Sequence, residues 1–119
     1  MKFALALSLL FFTTSAFAAV VASYHGVLAS DVPVKPGEIK AGIRVFHGEA
    51  GPAAAPVQVE AFKTEMASAK ADCMLAACPG VKHTFTNRKA DSYAARFRLP
   101  LKYDNEADKD SWMRNWTDI

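Results

Sequence analysis

The chain has 119 residues, 51% apolar and 22% charged, with a formal net charge of +2. That composition is globular, not disordered, and the length suffices for one small domain. The charge is too small to argue for a nucleic-acid or membrane-surface partner. Basic residues are scattered, with no run beyond Arg88-Lys89 and no interleaved stacking aromatics, so nucleic acid is set aside.

Met1 to Ala18 reads as a secretory signal peptide. Lys2 supplies the positive n-region, Phe3 to Phe12 the apolar h-region, and Ala16-Phe17-Ala18 a small-x-small cleavage site. The apolar run spans only about half a bilayer core, so no membrane span is expected in the mature form. Cleavage after Ala18 leaves residues 19–119 as the domain. The alternative is that the segment is a buried helix of a cytosolic domain.

Val20 to Gly26 reads as a buried strand ending in a turn, immediately after the cleavage site. Asp31 to Lys40, with Pro33, Pro36 and Gly37, is a loop. Ile43 to His47 is a second strand closed by Gly48, and Pro56 suits the first residue of a helix. Val57 to Ala71 is that helix. Its stripe is Val59, Phe62, Met66 and Ala69, with Glu60, Lys63 and Lys70 off it. Cys73 to Cys78 is a third strand closed by Pro79-Gly80, and residues 81–104 are expected to be mostly loop. A last helix starts with Asn105 as N-cap and has Trp112, Met113, Trp116 and Ile119 as its apolar stripe.

Short apolar strands alternating with an amphipathic helix imply a βαβ crossover and a parallel sheet. Cys73 and Cys78, five apart on one strand, point to opposite faces and suit small buried side chains better than a disulfide. Neither stands at zinc spacing to another ligand, and His25, His47 and His83 lack close metal-ligand spacing. No metal and no cofactor is expected. His83 lies on a polar loop just beyond an apolar strand, which is where an open α/β sheet keeps its chemistry.

Five segments stand in fixed order: VVASYHGVL (20–28), IKAGIRVFHGEAGP (39–52), AFKTEM (61–66), VKHTFTN (81–87) and LPLKYDNEADKDSW (99–112). Together they resemble the C-terminal half of the dienelactone hydrolase family. The resemblance implies a partial α/β-hydrolase domain: a short parallel sheet with covering helices. It also implies hydrolysis of a small carboxylic ester or lactone by a Cys-His-Asp triad. His83 falls at the family's histidine, the general acid/base. The family's aspartate position is occupied by Gly51, with Glu49 two residues earlier. The Gly-x-Cys-x-Gly nucleophile elbow has no counterpart, and Cys73 and Cys78 align with core positions, not with the nucleophile.

The expectation is therefore a truncated and catalytically incomplete hydrolase, with a second chain as the partner that would complete the fold. Such a protein is secreted or periplasmic if the leader is genuine and cytoplasmic otherwise. The alternative is an exported non-enzymatic binding protein that uses the half-sheet as a docking surface.

Overall fold

The structure, a computed structural model, describes residues 19–53 and 55–117. The expected leader lies outside the described residues. The elements in chain order are β1 (Val20–Tyr24), β2 (Gly42–Gly48), α1 (Pro56–Ser68), β3 (Cys73–Cys78), α2 (Ala90–Phe97) and α3 (Asn105–Thr117). The strands form one sheet in the order β1-β2-β3, and both ladders are parallel, Val20 facing Gly42 and Ile43 facing Cys73. The crossover reading from the sequence therefore holds. Among the described residues no helix is long and apolar enough to cross a membrane.

β2 is central and buried on both faces, as a parallel strand with two neighbours must be. One face carries Leu28 and Val45, packed with Ile43, Leu75 and the α1 residues Val59 and Phe62. The other carries Phe46, Ala76, Phe85 and Ala107, with Tyr24, Met74 and Val81 against them. α1 begins at Pro56, as expected, and Ala55 N–H donates to Gln58 Oε1 at its start. Met66 and Ala69 of its stripe are buried.

Three expectations are corrected and one is refined. Residues 81–104 are mostly loop, as expected, but they also hold a helix the sequence reading did not mark: α2 occupies Ala90–Phe97 and closes on Arg98 in the left-handed region (φ 54°). The N-cap of α3 is Asp104 and not Asn105, because Asp104 Oδ1 accepts the Ala107 N–H at 3.0 Å. The buried face of α3 is Ala107 and Ser111, while Trp112, Met113 and Trp116 are half or more exposed. Ile119 lies outside the described residues. Finally, β1 is a sheet edge with Val21 55% exposed, not a buried strand, since among the described residues only β2 pairs with it.

Candidate active site

The strands run parallel, so their C-terminal ends share one rim, and the chain's three histidines gather there. His25 follows β1, His47 is the penultimate residue of β2, and His83 lies on the loop after β3.

The His83 loop is fixed by backbone geometry. It passes so close to β2 that a Cβ on Gly48 would stand 2.6 Å from Val81 O and 2.7 Å from Lys82 O, so no larger residue fits. Ala50 N–H donates to Val81 O (2.8 Å) and Glu49 N–H to Cys78 O (3.1 Å), which ties the loop to the turn after β2. Beyond His83, Phe85 is wholly buried and anchors the segment in the core. Asp104 N–H donates to Phe85 O (3.0 Å), and His83 pairs with Leu101 in an isolated parallel bridge. Thr84, next to His83, sits at φ 63° and donates its hydroxyl to His83 O at 2.6 Å. A β-branched residue in the left-handed region is strained, and here the surrounding bonds hold it.

His25 belongs to the same rim. Its Nε2 lies 2.7 Å from Thr86 Oγ1, its ring meets Phe85 edge-on at 4.6 Å, and the His83 ring stands 5.5 Å away. Burial pushes its pKa down to about 4, with His83 lowering it further and Asp108 opposing. Nothing in the local sequence signals this arrangement, because Thr86 lies 61 residues along the chain.

His47 is 4% exposed, its Nε2 has no hydrogen-bond partner among the described residues, and burial depresses its pKa while Glu49 opposes. Glu49 lines a cavity of about 360 Å³ with His47, Pro56, Val59, Glu60 and Lys63, on the α1 side. Gly51, at the position of the family's acid, is exposed, and a Cβ there would meet nothing within 4 Å.

The cysteines stand apart from this rim chemistry. Cys73 starts β3, at the opposite end of the sheet, and lines a groove with Phe62 and Leu75. Cys78 ends β3 but faces α3, beside Glu106, Asp110 and Arg114. They lie on opposite faces, as expected; both are free and half-buried, not fully buried. Burial raises both thiol pKa values, the reverse of an activated nucleophile. Among the described residues no group of three or more His, Cys, Asp or Glu is arranged to hold a metal ion.

The dienelactone hydrolase family model matches residues 4–117. Among solved structures, the chain is similar to the crystal structure of a dienelactone hydrolase-like promiscuous phosphotriesterase from metagenomic libraries. Identity is 25%, the TM-score is 0.69, and the match covers 82% of this chain and 39% of that one. It also resembles a structure designated m3DLH, at 24% identity and TM-score 0.71, covering 84% of this chain and 41% of that one. The chain thus spans about two-fifths of the length of these structures. No curated protein matches it. With its parallel sheet and covering helices it is part of an α/β-hydrolase fold, and the chain belongs to the dienelactone hydrolase family.

Proposed function

We propose that this chain is the histidine-bearing portion of a carboxylic ester or lactone hydrolase, with His83 as the proton carrier. The observation that carries this is the loop geometry: Gly48 admits the loop, Phe85 anchors it, and His83 is held at the rim where parallel strands end. His83 would take a proton from a nucleophile and pass it to the leaving group. As it stands the site is catalytically incomplete. Gly51 occupies the acid's position, Glu49 faces the α1 cavity, and neither cysteine is activated or placed beside His83. Without nucleophile and acid, turnover should stay close to the uncatalysed rate. In this reading the leader exports the chain, and a second polypeptide completes the fold. The test is to mix the chain carrying Gly51→Asp with a separately expressed family N-terminal half bearing the cysteine elbow, using p-nitrophenyl acetate as substrate. Turnover above that of either part, lost with His83→Ala, supports the reading; no gain with folded partners refutes it.

A second reading rests on exposed apolar surface. Val21 on the free edge of β1, and Trp112, Met113 and Trp116 on α3, are half or more exposed. Trp112 lies 5.6 Å from the Tyr24 ring, so edge and helix are contiguous. An exported binding protein would dock a partner strand there. A monomeric chain that binds no hydrophobic dye would refute it.

A further inference from the structure

We propose that His25 is a positioning residue for His83: it clamps the 83–86 loop through Thr86 and walls the His83 ring from the β1 side. This deepens the reading of His83 as proton carrier and rests on it.

His25 stands at φ 61°, a backbone state that side-chain-bearing residues seldom adopt. That turn brings the imidazole back over the rim. One ring then makes three contacts with a single short segment: Thr86 Oγ1 at 2.7 Å, the Phe85 ring at 4.6 Å and the His83 ring at 5.5 Å. Its Nδ1 is buried and, among the described residues, has no partner. A buried N–H without an acceptor costs more than a buried lone pair without a donor. The favoured tautomer therefore carries the proton on Nε2, which donates to the Thr86 hydroxyl, and leaves Nδ1 bare. Held neutral, His25 adds no positive charge beside His83 when His83 takes a proton. A lysine or arginine here would repel that proton, and an aliphatic side chain would leave Thr86 unpaired. Because Gly51 supplies no carboxylate, nothing at the acid's position orients the His83 ring. His25 and Thr86 take over part of that task from the other side of the loop.

The experiment is NMR of the histidine rings at pH 7 on the full chain, comparing wild type, His25→Phe, His25→Gln and Thr86→Val. Phenylalanine keeps the ring's bulk and removes the hydrogen bond, whereas glutamine can still donate at the Nε2 position. The expected result is one set of His83 ring signals in wild type, with cross-peaks to Phe85 and His25. His25→Phe should broaden or shift those signals and weaken the Phe85 cross-peak, and His25→Gln should restore them. Thr86→Val should reproduce the His25→Phe change, and it decides the matter if His25→Phe does not fold. A merely structural residue would change stability in these variants without a Gln-specific recovery of His83. His83 signals that stay unchanged in folded His25→Phe and Thr86→Val overturn the proposal. In the reconstituted hydrolase, His25→Phe should lower kcat by about tenfold or more with little change in KM, since misplaced reacting groups cost up to about a hundredfold. Failure of reconstitution would count against the hydrolase reading alone, because the ring signals are read on this chain by itself.

Discussion

Gly48→Ala is the sharpest probe of how the fold places His83. The added methyl would meet Val81 O at 2.6 Å and Lys82 O at 2.7 Å, where real Cβ contacts hardly ever fall below 3.0 Å. Both neighbours are backbone atoms, and Val81 O is already held by the Ala50 N–H, so neither can rotate away. The loop must lift by roughly 0.4 Å or more to clear the contact. Overpacking of this kind costs about 1–3 kcal/mol, and replacing glycine returns about 0.5 kcal/mol through a less flexible unfolded chain. The net loss is about 1–2 kcal/mol. With a urea slope near 1 kcal/mol/M for a small domain, the unfolding midpoint should drop by about 1–2 M. Gly51→Ala is the matched control, because a Cβ there meets nothing within 4 Å; its stability should stay within about 0.5 kcal/mol of wild type. Urea unfolding of the three chains by circular dichroism checks this. Equal midpoints for the two alanine variants would refute the close approach of the His83 loop to β2.

Three further outcomes follow from the same geometry. The folded chain keeps His25 neutral down to about pH 4, whereas an unfolded histidine takes a proton near pH 6.5. The unfolded state therefore binds more protons between those values, and stability present above about pH 6.5 should be lost as pH falls towards 4; His25→Phe should flatten that part of a urea-midpoint profile. Asp104→Ala should cost about 1 kcal/mol by removing the acceptor for the Ala107 N–H, while Asn105→Ala should cost little, both read from thermal melts. Both thiols, raised by burial, should react with iodoacetamide at pH 7.5 more slowly in the folded chain than in urea; equal rates would place them in solvent.

What could be read from the chain before folding was what has a local period. Val59, Phe62, Met66 and Ala69 recur at helical spacing; Val59 and Phe62 pack on the sheet, and Met66 and Ala69 are buried. The apolar runs of β2 and β3, bounded by glycine and proline, marked the strands and their parallel order. α2 does carry a stripe at helical spacing, Ala90, Tyr93, Ala94 and Phe97, and escaped because it is only eight residues long, starts at Lys89 without a side-chain cap and buries only Ala90. α3 misled for the opposite reason: its conspicuous residues are two tryptophans, but it packs through small Ala107 and Ser111. Asp104 and Asn105 are both good caps, and only the direction of one carboxylate separates them. His83 was legible as a loop histidine after a strand. His25 was not legible as its neighbour, since the contact is set by a left-handed turn and a threonine far along the chain.

The parallel sheet also governs how the chain folds. Among the described residues no two strands are joined by a hairpin: Val20 meets Gly42, 22 positions on, and Ile43 meets Cys73, 30 positions on. Each ladder must close a long loop before its first hydrogen bond, at an entropic cost of about 3 kcal/mol for 30 residues beyond the constant term. α1 lies within the second crossover and forms from neighbouring residues, so the β2–β3 ladder closes against it. During synthesis β1 is already available to one edge of β2, but the other edge stays bare until Cys73 to Cys78 has emerged, which makes this a slow-folding topology whose vulnerable period is set by the length of the α1 crossover.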